Sequence, residues 1–194
     1  MLNLTPHEMK ALLAAIDTRH PFGPRDYFLM VFDWHTGLRV TELVSIDVSD
    51  VSLDGQPRQE LHLRATTTKG HMGRLVPLNA IAQKAVAKIL EFNRKRGLSV
   101  EPDAPLFQTR RHVRLTARTV QWFMSVLREK AGLDFRATPH SIRHGFAVQA
   151  LERSGNLRAV QKLLGHRRLT STEVYTNPRR DELQRVVDTL VDRH

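Results

Sequence analysis

No cysteine occurs in the 194-residue chain, which excludes disulfide bonds and thiolate metal sites. No apolar run approaches the ~20 residues that a helix needs to cross a bilayer. The opening MLNLTPHEMK has neither a basic n-region nor an apolar h-region, so it does not read as a secretory signal. Internal repeats, low-complexity tracts and a long biased linker are also missing. A soluble, cytosolic chain of one domain is therefore expected, with no membrane partner. Acidic residues are outnumbered: 20 Asp and Glu stand against 30 Lys and Arg, a formal net charge of +10. The basic side consists of 23 arginines and only 7 lysines, and a planar guanidinium fork suits phosphate better than an ammonium does. Nucleic acid is the partner such a balance points to, with an anionic membrane surface as the competitor. A hydrophobic content of 41% is ordinary for a folded protein, and the length is enough for a real core.

What is present reads mainly as helix. Thr5-Pro6-His7-Glu8 makes a capping box with proline at the first helical position, and the helix runs to about Asp17. After the breaker Pro21-Phe22-Gly23-Pro24, a second helix spans about Arg25 to Gly37. It is apolar nearly all round, which predicts the central buried helix. A short helix from Val40 to Ile46 follows. From Val48 the period changes to VSL, ELHLRATT and RLVPL, read as three short antiparallel strands, with Lys69 near the tip of a glycine-bearing hairpin. Asn79 caps a helix to Arg96, residues 98–114 read as loop, and Thr116 caps a helix through Ala131. The fold class is mainly α (α+β): one helical domain with a small three-stranded antiparallel sheet.

The chemistry concentrates between Thr138 and Tyr175. Thr138 caps a helix whose first residue is Pro139, so His140 and Arg143 lie three apart on one face near its positive end. Gly155 ends that helix, Asn156 caps the next, and Leu157–Leu164 closes at Gly165. His166 follows at the turn, and Tyr175 lies nine residues further, before Asn177-Pro178. Two imidazoles, a guanidinium and a phenol near a helix N-terminus outline an anion pocket with a nucleophile beside it. Arg39, in TGLRVTEL, sits on a rigid scaffold where Glu42 can hold it. Taken singly, each of these residues has an ordinary reading: a surface ion pair for Arg39, a solvated turn for Lys69, a helix-cap histidine for His140.

Together, in the order R…K…HxxR…GH…Y, with TGLR, LLGH and YTN as written, they resemble the catalytic domain of the tyrosine recombinases, the phage-integrase family with its Xer-type members. The likeness covers Leu4 to about Asp188 and is most specific over PHSIRHGFAVQALERSGNLRAVQKLLGHRRLTSTEVYTN. It implies a DNA strand-exchange enzyme working through a 3′-phosphotyrosyl intermediate, with no metal and no other cofactor. Arg39, Lys69, His140, Arg143, His166 and Tyr175 match its catalytic positions. Tyr175 would be the nucleophile, and Arg39, Arg143 and His166 would stabilise the phosphorane-like transition state. Lys69 would protonate the departing 5′-hydroxyl, and His140 would help accept the tyrosine proton. His144, about 100° around the helix from Arg143, is read as structural.

Complete members carry a further N-terminal helical domain, and this chain begins where the catalytic domain would. A core-binding domain is therefore not expected within residues 1–194, whether the chain is a minimal recombinase or a piece of a longer one. Two alternatives stand beside the main reading. A type IB topoisomerase would relax any supercoiled plasmid rather than cleave one site, and an inactive DNA-binding module would have no use for a nucleophile. Past Pro178, Leu183, Val186, Val187, Leu190 and Val191 form an apolar stripe on a tail helix. By the same resemblance the tail docks on a neighbouring protomer in a DNA-bound homotetramer. It is expected to be folded back or mobile in the free monomer.

Overall fold

Thr5 opens the chain as its spelling predicts: its hydroxyl accepts from the Glu8 amide, and the Glu8 carboxylate accepts from the Thr5 amide at 2.7 Å. This reciprocal cap starts α1 (Pro6–Ala14) in a computed structural model that describes residues 4–65, 73–133, 137–165 and 180–191. Helix α2 (Gly23–Thr36) is the centre of the molecule, packed on α5 (Ala80–Lys95) and α7 (Pro139–Ser154), with Leu29, Met30 and Phe32 buried. It stops at Gly37, whose φ of +59° is left-handed. A Cβ there would lie 2.3 Å from the Phe146 ring, so α7 approaches the end of α2 only because residue 37 has no side chain. Then come α3 (Val40–Ser45) and α4 (Val48–Val51). Asn79, Thr116, Thr138 and Asn156 each accept from the backbone three residues on, starting α5, α6 (Ala117–Lys130), α7 and α8 (Leu157–Leu164).

The sheet differs from the expected three strands. Among the described residues there are two separate two-stranded ladders: β1 (Ser52–Leu53) with β2 (Gln56–Pro57), and β3 (Glu60–Leu63) with β4 (Arg74–Pro77). Asp54 and Gly55, with φ of 50° and 77°, make a two-residue turn that closes β1 on β2 immediately. Arg58 N–H still donates back to Val51 O at 2.8 Å, but Pro57 has no N–H to offer a third strand on the outer edge of β2. Residues 48–51, where the sequence period changes toward strand, form one helical turn because the Asp47 amide donates to Asp50 Oδ2 at 2.8 Å. The hairpin tip with Lys69 lies outside the described residues.

The tail stripe is folded back on its own chain. In α9 (Arg180–Asp188) and just beyond it, Leu183, Val186, Val187 and Leu190 are buried in one cluster with Phe146, Ala150, Val160 and Leu163 from α7 and α8, while Val191 is half-buried. Polar contacts fix the seat. The Asn79 amide donates to Val187 O at 3.0 Å, Arg153 donates to Thr189 O at 2.6 Å, and Arg180 pairs with Glu60 at 2.6 Å. No helix among the described residues is long and apolar enough to cross a membrane.

Candidate active site

Three arginines from three different elements meet at the end of one short helix. Helix α8 closes on Gly165 at φ +65°, leaving its last carbonyls without partners inside the helix. Each of the final three is taken by a separate guanidinium. Arg74 Nε, from β4, donates to Leu163 O at 3.2 Å, and Arg143 Nη2, from α7, to Leu164 O at 2.6 Å. Arg39 Nη2, at the cap of α3, makes a long contact with Gly165 O at 3.5 Å. The C-terminal end of a helix carries partial negative charge, so cations settle there. Arg143 is fixed on its other side by Gly37 O at 2.8 Å, which ties it to the end of α2.

Glu42 lies beneath these groups with no exposed surface. Arg74 forks both of its oxygens, at 2.8 and 2.9 Å, while Arg39 contacts Oε1 at 2.9 Å and donates its backbone N–H to Oε2 at 2.9 Å. Burial alone would raise the Glu42 pKa, but the hydrogen bonds from Arg74 and Arg39 outweigh it and hold the carboxyl at about 2. Asp33, 1% exposed on α2, behaves in the opposite way. Its Oδ1 has no hydrogen-bond partner among the described residues. Burial raises it to about 8, opposed by Arg143 and reinforced by Glu42, so it is mostly neutral at pH 7. Arg143 is lowered to about 10 by burial and by repulsion from Arg39 and Arg74, partly offset by Glu42 and Asp33. Near neutral pH the cluster therefore holds a surplus of two positive charges, which is what an anion site requires.

Of the six residues expected from the sequence, the structure brings Arg39 and Arg143 together. It places His140 exposed at the start of α7, one turn before Arg143. Lys69, His166 and Tyr175 lie outside the described residues, His166 being next in the chain after Gly165. Glu42 holds Arg39 as its spacing predicts. Arg74 and Asp33 were not anticipated. The signal for Arg74 was the strand period: in Arg74-Leu75-Val76-Pro77, Arg74 shares the inward face with Val76, and Leu75 is 51% exposed. Among the described residues no group of three or more His, Asp or Glu is arranged to hold a metal.

Residues 3–182 match the sequence profile of the phage integrase family. The chain belongs to the phage integrase family. The tyrosine recombinase XerC of Pelotomaculum thermopropionicum is 35% identical over 183 residues, covering 92% of this chain and 58% of that protein. The crystal structure of XerA recombinase superposes with a TM-score of 0.72 at 27% identity, over all of this chain and 67% of that one. A XerH site-specific recombinase bound to its difH substrate superposes with a TM-score of 0.69, over 90% of this chain and 50% of that one. At 23% identity the second likeness concerns the fold alone. This phage-integrase chain thus spans little more than half the length of the XerC relative.

Proposed function

We propose that residues 1–194 form the catalytic domain of a site-specific DNA recombinase that cuts and rejoins strands through a 3′-phosphotyrosyl intermediate. The observation that carries the reading is the convergence of Arg39, Arg74 and Arg143 on successive carbonyls at the end of α8, with two positive charges beyond that of the ionised Glu42. A phosphodiester gains negative charge as a fifth ligand adds, and fixed guanidiniums stabilise that charge more than the ground state. Tyr175 attacks the phosphorus, forming the O–P bond as the 5′-oxygen leaves. Lys69 gives that oxygen its proton, and His140 helps accept the proton that the tyrosine loses. His166 adds a donor to the phosphate. Attack by the 5′-hydroxyl of another strand reverses the step, so no nucleotide is consumed.

The natural partner is double-stranded DNA. On it the chain acts as a homotetramer linked by tails docked in trans, while the free protein is a cytoplasmic monomer with its tail folded back. The test is incubation with fragmented host DNA, denaturing electrophoresis, and sequencing of DNA that stays attached to protein. One recurrent site is expected, and Tyr175→Phe is expected to bind DNA yet leave no denaturant-resistant adduct. An adduct formed by the phenylalanine variant would remove Tyr175 from the nucleophile role.

A further inference from the structure

We propose that Arg74, a seventh residue beside the six above, is a positioning residue that occupies Glu42 so that Arg39 keeps one guanidinium edge open to a phosphate. The inference rests on the reading that Arg39 binds the phosphate undergoing reaction.

A carboxylate offers two oxygens, and a guanidinium satisfies both at once when it docks as a fork. Arg39 and Glu42 are three residues apart and already joined through the Arg39 backbone N–H, so they would be natural fork partners. They do not form the fork. Arg74 holds both oxygens, and Arg39 is left one side-chain contact, at Oε1. Among the described residues its other terminal nitrogen has only the 3.5 Å approach to Gly165 O, at the outer limit of a hydrogen bond. The Arg39 side chain remains 30% exposed, against 14% for Arg74. Arg39 therefore has an edge to offer, and Arg74 is committed to the interior.

Arg74 is itself held from three sides. β4 pairs with β3 through the Leu63–Arg74 register, Nε donates to Leu163 O, and the guanidinium lies against Gly165. A Cβ on Gly165 would come within 3.0 Å of Arg74 Nη1, so the turn residue leaves the space the arginine fills. If Arg74 is removed, Glu42 remains buried and charged with half its acceptors unmet. The fork with Arg39 then becomes its best arrangement, and Nη2 turns inward. Phosphate affinity falls although no group that touches phosphate has changed.

Inorganic phosphate is the probe, because it needs no DNA site. Thermal stability is followed against phosphate, with chloride at equal ionic strength as reference. Wild type is expected to be stabilised, and Arg39→Ala to lose the response. Arg74→Met should need about ten-fold more phosphate for the same shift, the loss of one charged hydrogen bond. Arg74→Met with Glu42→Gln should recover most of the response, because a neutral amide does not draw Arg39 in; a purely structural role gives no such rescue. If Arg74→Met does not fold, Arg74→Lys, which keeps the charge but cannot fork, carries the same comparison with and without Glu42→Gln. Equal responses from wild type and the Arg74 variant, or a double variant no better than the single one, would overturn the positioning role alone. A wild type indifferent to phosphate, or Arg39→Ala responding normally, would instead remove the phosphate role of Arg39 and the inference with it.

Discussion

Two buried carboxyls of one arginine cluster, Asp33 facing Arg143 and Glu42 bonded to Arg74 and Arg39, respond in opposite ways, and the difference can be measured. Glu42 is held at about 2 against an ordinary 4.5, so the folded state releases its proton more readily than the unfolded chain does. Its contribution is complete above pH 4.5 and is lost as pH falls toward 2, a depression corresponding to about 3 kcal/mol. Glu42→Ala strands two guanidiniums as well, and a loss of about 3–5 kcal/mol in urea denaturation at pH 7 is expected. Asp33 is raised from 3.8 to about 8, so the fold keeps a proton that the unfolded chain gives up. Stability from this group declines as pH rises from about 4 to about 8. Asp33→Asn should flatten that decline, giving its largest gain over wild type at pH 8–9. Parallel pH profiles for the two proteins would show that Asp33 is not the group responsible. Neither behaviour could be read from the sequence, because Asp33 and Glu42 are both simply acids on helices. Their burial is decided by how α2 packs on α5 and α7 and how α3 packs on α6.

At the scale of elements, what is local in the chain was legible and what depends on pairing was not. The helix starts at Thr5, Asn79, Thr116, Thr138 and Asn156 were legible because a cap bonds within its own four residues. The ends at Gly37, Gly155 and Gly165 were legible because a left-handed residue is chemically distinctive. The division of the sheet was not, since nothing near Pro57 states which strand it will leave unpaired. Arg74 was missed for a related reason: its partner Glu42 stands 32 residues away, and only the register of β3 with β4 aims it there. The tail stripe was legible, and its seat is on the same chain. Truncation after Asn177 removes four buried aliphatic side chains, Leu183, Val186, Val187 and Leu190. Each is worth ~1.5–3 kcal/mol if fully buried, before relaxation. The truncated protein should melt well below wild type; equal melting temperatures would mean that the cis seat contributes little in solution.

For the molecule as a whole, the net charge of +10 governs how it would meet the DNA proposed above as its partner. Neutralising several phosphates releases their counterions, so DNA affinity should fall linearly on a log–log plot against salt, with a slope of about −0.9 per phosphate contacted. Titrations between 50 and 200 mM salt measure it, and a flat plot would contradict an arginine-led encounter. The arginines gathered at the end of α8 are aimed by backbone atoms. Arg74, Arg143 and Arg39 answer to the carbonyls of residues 163, 164 and 165, atoms that every residue type supplies alike. Point substitutions on the outer face of α8 can therefore accumulate without disturbing their aim. A deletion of one residue there cannot, because each residue turns the helix by 100° and would carry all three acceptors away at once. The site is thus tolerant of altered spelling in α8 and intolerant of altered length, a distinction that a library of substitutions and single-residue deletions across 157–162 would expose directly.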